Sequence, residues 1–231
     1  MTLKDDLETE VKKIFRDQWD YRDGTVVPTD ETVGLGNKGV RLDATVLYAD
    51  LSESTNMVDT QKPYFSAEVY KTFLHCCAKI IKSKGGVITA YDGDRIMAVY
   101  VGDYKNTNAT KSALMINWAN KFIIQPALDA QYSGTQFKIK HTVGIDTSKL
   151  LVAKTGVRGA NDLVWVGRAA NWAAKLTTLS HDTPTWITKA VYDKLAPEAK
   201  STNGTNMWEH RLWTKMNNAD IYRSSWRWSF S

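Results

Sequence analysis

A short hairpin signal near the middle of the chain constrains the fold more than any other feature of the sequence. The dipeptide Asp92-Gly93 lies between two β-type runs, residues 87–91 and 96–101. Both positions of an Asp-Gly pair tolerate the positive φ of a two-residue turn. These two runs are therefore predicted to form an antiparallel hairpin.

The rest of the chain alternates short β-type runs with longer helical patterns. Apolar residues at helical spacing mark residues 65–81, 109–130 and 168–179. β-type runs cover residues 45–51, 137–145, 150–153, 163–166, 207–213 and 221–230, with a short strand and helix at 185–195. The order β-α-β-β-α-β with extra strands predicts an α+β fold, a ferredoxin-like sheet rich in antiparallel pairs with its helices on one face.

The N-terminal part of the chain has a different pattern from the remainder. Apolar residues recur every four positions from Leu3 to Phe15, which predicts a helix with one apolar stripe that must pack on something. Residues 22–43 are rich in Gly, Thr and Asp and favour an irregular arm. We therefore predict an N-terminal helix and linker arm over residues 1–43 and a main domain over residues 44–231.

Charge and hydropathy indicate which partners and which compartment the sequence favours. Thirty Lys and Arg against 25 Asp and Glu give a net charge of +5, which suits a pocket for a small polyanion and is modest for a protein that coats nucleic acid. No apolar run is long enough to span a membrane, and the first 20 residues do not resemble a signal peptide. We therefore expect a cytoplasmic protein with no membrane or nucleic-acid partner. A nucleic-acid-binding module with tryptophan stacking platforms is an alternative, and it predicts salt-dependent binding to oligonucleotides.

Two aspartates could share one end of the predicted sheet. Asp50 ends an apolar strand, and Asp94 lies just past the hairpin turn. Two carboxylates there would hold Mg²⁺ or Mn²⁺ together with substrate phosphates. Aspartates in these positions are also common as helix N-caps and turn residues, and spacing alone favours those structural roles.

Three separated segments together resemble the class III nucleotidyl cyclases. Residues 48–55 read Tyr-Ala-Asp-Leu-Ser-Glu-Ser-Thr and are similar to the family's first metal segment, Phe-x-Asp-Ile-x-Gly-Phe-Thr. Residues 92–99 resemble the second, with its Gly-Asp hairpin, and residues 166–176 resemble the segment Gly-x-x-Val-Asn-x-Ala-x-Arg. Each motif alone is weak, but the three occur in the family's order along a compatible fold.

Departures from the family pattern concern the base pocket. Ala90 and Val164 stand where purine cyclases carry the residues that select the base, and neither side chain can form a hydrogen bond. Tyr48 replaces the usual Phe and adds a hydroxyl to the same face as Asp50. These features resemble the pyrimidine cyclases of Pycsar anti-phage systems, which make cyclic UMP or cyclic CMP as a signal for a separate effector protein. Arg95 is a further candidate for contact with the base.

The resemblance implies a site shared between two subunits. Asp50, Asp94 and Leu51 would hold two divalent cations per site, Mg²⁺ or Mn²⁺. Asn171 would orient the ribose, and Lys175 would stand in for the family's Arg at the pentacoordinate phosphate. The phosphates would be received by the backbone of Leu51, Ser52, Glu53, Ser54 and Thr55.

In the family the metal carboxylates of one subunit face the Asn and the cation of the other, which implies a homodimer with its sites at the interface. The substrate is expected to be UTP in preference to CTP. Two alternatives stay open at this point. One is a purine cyclase with an unusual base pocket, and the other is a catalytically degenerate domain that binds a nucleotide and regulates something else.

Overall fold

A mixed sheet of nine strands organises residues 2–230, the part of the chain that the computed structural model describes. The strands are β1 (Asp20–Gly24), β2 (Lys38–Ser52), β3 (Val87–Asp92), β4 (Arg95–Tyr100), β5 (Lys140–Val157), β6 (Ala160–Val166), β7 (Thr185–Thr188), β8 (Ser201–Thr202), β9 (Thr205–Asn206), β10 (Glu209–Trp213) and β11 (Ala219–Ser224). The helices are α1 (Leu3–Arg16), α2 (Ser54–Thr60), α3 (Pro63–Ser83), α4 (Lys105–Ala119), α5 (Gln125–Gln131), α6 (Arg168–Leu176), α7 (Lys189–Tyr192) and α8 (Pro197–Lys200). Strands β8 and β9 pair with each other outside the main sheet.

The strands run in the order β10-β11-β7-β5-β2-β4-β3, with β1 added beside β2 and β6 added beside β5. All neighbours are antiparallel except the pairs β1–β2 and β5–β7. The predicted hairpin is the pair β3–β4, and Gly93 in its turn has a φ of +60°. The α+β class and the antiparallel-rich sheet are confirmed.

The helices cover both faces of the sheet. Leu47, Ala49 and Leu51 of β2 pack in the large core formed with α3 and α4. Val46, next to Leu47 in sequence, packs in a second core with alanines of α6, and Tyr48 lies against that second core. Since successive residues of a strand point to opposite faces, α6 lies on the face opposite to α3 and α4. The expectation that all helices share one face is therefore wrong for α6.

A glycine of β5 lets α6 approach the sheet closely. A Cβ added at Gly144 would overlap the main-chain carbonyl of Ala173 and would lie 2.7 Å from Cβ of Leu176. Both contacts are to α6, and moving one side chain cannot relieve them because a main-chain atom is involved. The position of α6 over the sheet thus depends on the absence of a side chain at residue 144.

Replacing Gly144 by Ala is expected to lower the free energy of unfolding by about 1–3 kcal/mol, the usual cost of forcing extra volume into a packed core. Because α6 must shift, any activity that depends on α6 side chains should fall as well. Urea unfolding of the variant checks the first expectation. The control is Ala160→Gly, which changes an exposed residue of β6 and should lower the free energy of unfolding by less than about 1 kcal/mol. Gly159→Ala would not serve, because Gly159 has a positive φ that strains any other residue.

The N-terminal arm is more regular than the sequence predicts. β1 pairs in parallel with the first residues of β2, and β2 also pairs with β5 from Gly39 onward. The irregular arm predicted over residues 22–43 is therefore wrong for residues 22–24 and 38–43, because main-chain pairing with two neighbouring strands outweighs a composition poor in β-formers. The boundary predicted after residue 43 falls inside β2.

Helix α1 buries none of its side chains. Its apolar stripe is exposed along the whole length from Leu3 to Phe15. At the end of the helix, the Asn37 side-chain amide donates to the carbonyl oxygens of Ile14 at 2.8 Å and Asp17 at 2.6 Å. The expected packing partner of the stripe is thus not found among residues 2–230.

Strand β5 and the tail differ most from the lengths predicted for them. The runs at 137–145 and 150–153 are one strand, β5, because both halves pair with β2. The tail run at 221–230 leaves the sheet after Ser224, and its main chain then accepts hydrogen bonds from the amide of Asn117 on α4. Within residues 2–230, no helix combines the length and the apolar character needed to cross a membrane.

Candidate active site

The two predicted metal carboxylates lie side by side at one end of the sheet. Asp50 is near the end of β2, and Arg95, the residue after Asp94, sits directly opposite Asp50 in the β2–β4 pair. Burial and the neighbouring Asp94 carboxylate raise the pKa of Asp50 to about 6. The Oδ2 atom of Asp94 is buried and has no hydrogen-bond partner among residues 2–230.

This pair fits a divalent cation that arrives with its substrate. A buried carboxylate oxygen without a donor, beside a second carboxylate, is a site that a divalent cation satisfies. The described residues contain no group of three or more His, Cys, Asp or Glu side chains that could hold a metal ion. Magnesium is commonly held by one or two carboxylates together with substrate phosphates. The remaining ligands would therefore come from the substrate and the main chain.

The elevated pKa of Asp50 has a measurable effect on stability. The folded protein holds a proton on Asp50 up to about pH 6, whereas the unfolded chain releases it near the ordinary value of 3.8. In this range the folded state binds more protons, so the free energy of unfolding falls as the pH rises from about 4 to about 6. We expect a loss of about 1–3 kcal/mol from this group in the absence of metal, after allowance for its partial exposure.

Urea unfolding in EDTA at a series of pH values tests this expectation, with the Asp50→Asn variant as reference because it lacks the titrating carboxyl. The difference in the free energy of unfolding between variant and wild type should grow between about pH 4.5 and about pH 7. A constant difference would contradict the raised pKa.

Four predicted residues line one cavity of about 280 Å³ within a single chain. Tyr48, Ala90, Val164 and Asn171 come from β2, β3, β6 and α6. The sequence analysis does not name the other lining residues as pocket residues, although Met97, Ala170 and Ala174 stand in the cyclase-like segments; they are Thr89, Met97, Asp162, Leu163, Trp165, Ala170 and Ala174. Residues from five elements, β2, β3, β4, β6 and α6, therefore converge on the face of the sheet that carries α6.

Tyr48 is fixed in this cavity by two contacts. Its hydroxyl donates to Sδ of Met97 at 3.0 Å, and burial raises its pKa, so the hydroxyl stays protonated near neutral pH. The Arg95 guanidinium lies 5.4 Å from the centre of the Tyr48 ring and also donates to the Asp92 carboxylate at 2.8 Å. Arg95 therefore contacts the wall of the cavity, which agrees with its place among the predicted pocket residues.

The predicted phosphate segment joins β2 to α2. Leu51 is buried in the core, and the Ser52 hydroxyl lies 3.1 Å from that of Thr142. Glu53 adopts the left-handed conformation, with a φ of +62°, at the position where the family pattern has Gly, and its carboxylate accepts from Lys140 at 2.9 Å.

Helix α2 begins at Ser54, with Thr55 in its first turn, and no side chain caps it within residues 2–230. The first amides of the helix therefore stay available to an anion.

Helix α6 is anchored to the sheet at its first residue. Arg168 donates to the Asp146 carboxylate at 3.1 Å and to the Thr147 carbonyl at 2.9 Å. Asp146 is fully buried and accepts a further hydrogen bond from Thr188 at 2.5 Å. Removing Arg168 would leave the buried Asp146 carboxylate without its cation, which typically costs several kcal/mol of stability. The ion pair therefore fixes the start of the helix.

Further along α6, Asn171 is exposed and Lys175 has no ion-pair partner in the described part of the chain. The helix ends near the first metal carboxylate, where the Thr177 hydroxyl lies 3.4 Å from Oδ2 of Asp50. Thr177 was not predicted, because no local pattern links it to a residue 127 positions earlier.

Comparisons with known proteins are consistent with this geometry. Over 229 residues the sequence is 55% identical to a uridylate cyclase from Xanthomonas perforans, and the match covers 99% of each chain. The chain belongs to the uridylate cyclase family. A uridylate cyclase from Burkholderia cepacia is 50% identical over 231 residues, covering 99% of this chain and 100% of that protein. No model of a protein family matches the sequence.

Solved structures of cyclases share the fold of this uridylate cyclase family member. The adenylyl cyclase CyaB from P. aeruginosa aligns with a TM-score of 0.67 and 18% identity, over 80% of this chain and 94% of that one. The guanylyl cyclase Cya2 aligns with a TM-score of 0.68 and 18% identity, over 82% and 95%. The fold that the resemblance to class III nucleotidyl cyclases implies is confirmed.

Proposed function

We propose that this protein converts UTP to 3′,5′-cyclic UMP and pyrophosphate. The observation that carries the proposal is the cavity that joins Tyr48, Ala90, Val164 and Asn171, the residues that the cyclase resemblance assigns to the base and the ribose. Relatives named uridylate cyclase at 55% and 50% identity over the whole chain support the choice of UTP. CTP is the second pyrimidine substrate to test, since it differs from UTP at one edge of the base.

Asp50, Asp94 and the Leu51 carbonyl would hold two divalent cations, Mg²⁺ or Mn²⁺. When bound, these cations lower the pKa of the 3′-hydroxyl and neutralise charge on the phosphates. The amides from Leu51 to Thr55 would receive the β- and γ-phosphates at the start of α2.

The side chains of α6 complete the proposed chemistry. The 3′-hydroxyl gives up its proton to water and its oxygen bonds to the α-phosphorus. The bond between the α-phosphorus and the bridging oxygen breaks, and pyrophosphate leaves with the electron pair. Asn171 would hold the ribose in position, and Lys175 would stabilise the charge on the pentacoordinate phosphate. Asn171 is exposed in the single chain, which leaves it free to meet a second subunit.

A homodimer would then contain two sites, each with the carboxylates of one subunit and α6 of the other. A monomeric preparation should be inactive, because no single chain would hold a complete site. We further propose that the product acts on a separate effector protein in anti-phage defence and that the enzyme works in the cytoplasm.

Incubation with each of UTP, CTP, ATP and GTP in Mg²⁺ or Mn²⁺, followed by chromatography, tests the proposal. The expected result is cyclic UMP and pyrophosphate in equal amounts. Cyclic AMP or cyclic GMP as the main product would instead support a purine cyclase with an unusual pocket. No cyclic product from any triphosphate would support a degenerate, nucleotide-binding regulatory domain.

A further inference from the structure

The proposed base pocket lacks an obvious polar partner at the two positions expected to select the base. Ala90 and Val164 line the cavity but offer no hydrogen-bonding side chain. A uracil or cytosine edge carries carbonyl, imino or amino groups that need partners once they leave water. Some other group in this cavity must supply a partner for that edge.

Thr89 places an uncommitted hydroxyl at the cavity. The residue lines the same cavity as Tyr48, Ala90 and Asn171. Its Oγ1 atom is buried and has no hydrogen-bond partner among residues 2–230. Buried polar atoms are nearly always paired in folded proteins, so a buried hydroxyl without a partner beside a cavity points to a ligand.

A β-bulge explains why Thr89 lies at the cavity together with its neighbour. Ile88 pairs with Ala98 and Ala90 pairs with Met97, so Thr89 is an extra residue without a partner on β4. Ile88 packs against the core on the α3 and α4 side, whereas Ala90 packs on the α6 side. In a regular strand, residues two apart point to the same face of the sheet. Here the bulge places Ile88 and Ala90 on opposite faces and changes the direction of the side chains next to it.

We propose that the Thr89 hydroxyl hydrogen-bonds the polar edge of the pyrimidine base and is a specificity-determining residue of the pocket. This inference rests on the proposed cyclisation of a pyrimidine triphosphate. A threonine hydroxyl can donate to a carbonyl oxygen and accept from an imino or amino group, so it suits either pyrimidine. Tyr48 and Thr89 both bring a hydroxyl to the cavity. The Tyr48 hydroxyl already donates to Met97, whereas the Thr89 hydroxyl has no hydrogen-bond partner among residues 2–230.

Replacing Thr89 by Val removes the hydroxyl and keeps the β-branched shape. We expect kcat/KM for UTP to fall about 5- to 100-fold, mainly through KM, because a base group is left buried without its partner. Thr89→Ser, which restores the hydroxyl, should stay within about threefold of wild type. Thr110→Val is the matched control, since its Oγ1 is also buried without a partner among residues 2–230 but lies on α4, on the other face of the sheet.

Kinetics with UTP and CTP, together with thermal unfolding of each variant, decide the inference. If wild type forms cyclic UMP but Thr89→Val keeps kcat/KM for UTP within about twofold, the role of Thr89 is refuted and the proposed function stands. If wild type forms no cyclic pyrimidine nucleotide, the proposed function fails and the inference fails with it. Should Thr89→Val not fold, Thr89→Ala gives the same comparison, and an unchanged KM for UTP in that variant would equally refute the role.

Discussion

Replacing Asp50 by Asn is expected to abolish cyclic product while making the protein more stable. Activity should fall about 10³-fold or more, because charge stabilisation through bound metal is worth several kcal/mol and each 1.4 kcal/mol or so is tenfold in rate. The free energy of unfolding at pH 7 should rise by about 1–3 kcal/mol, because the substitution removes a half-buried charge that the Asp94 carboxylate repels. Activity and stability thus change in opposite directions.

Turnover of UTP in Mn²⁺ and urea unfolding in EDTA measure the two effects. Asp94→Asn should behave in the same way in the activity assay. Asp103→Asn removes one negative charge from an exposed loop and should leave both quantities unchanged. Retained cyclase activity in either Asp50→Asn or Asp94→Asn would remove the metal assignment.

Mixing two inactive variants is expected to restore activity if the sites lie between subunits. Asn171→Ala alone should lower kcat by roughly 10²–10³, since it removes a group that orients the reacting atoms. When Asn171→Ala and Asp50→Asn chains are mixed equally and exchange freely, half of the dimers are mixed, and each mixed dimer has one intact site. Activity should then reach about a quarter of the wild-type value.

The matched control is a mixture of Asp50→Asn with Asp94→Asn. Both substitutions damage the carboxylate half of the site, so every dimer formed has two damaged sites and no activity should return. A site contained within one chain would give no recovery in either mixture. A loss below about tenfold in Asn171→Ala alone would instead indicate a structural role for the amide.

The sequence predicted the order of elements well where short-range patterns decide the structure. The Asp92-Gly93 turn, the helix at 65–81 and the two aspartate segments all depend on residues close together in the chain. The start of β2 at Lys38 was missed, because this part of the strand is held by pairing with β1 and with β5, and its partner on β5 is as distant in the chain as Ala153 is from Gly39. The placement of α6 on the opposite face also depends on distant contacts, above all on Gly144.

The candidate site was predictable to a similar extent. The three motifs identified candidate residues on β2, in the β3–β4 hairpin and on α6. The structure brings four of the predicted residues, Tyr48, Ala90, Val164 and Asn171, to one cavity. Thr89 was not predicted, because its position depends on a register shift between β3 and β4 that no local pattern reveals.

The length of β2 limits how the N-terminus can be shortened. Its first five residues, from Lys38, have β1 on one side, and β1 follows the exposed helix α1 after only a few residues. Deleting the chain as far as Lys38 would uncover a row of main-chain amides and carbonyls on a strand that continues to Asp50, and such a bare edge invites sheet-to-sheet aggregation. A truncation that stops before Asp20 keeps β1 and therefore leaves that edge protected. For the same reason, an affinity tag is better joined before residue 17 than between β1 and β2.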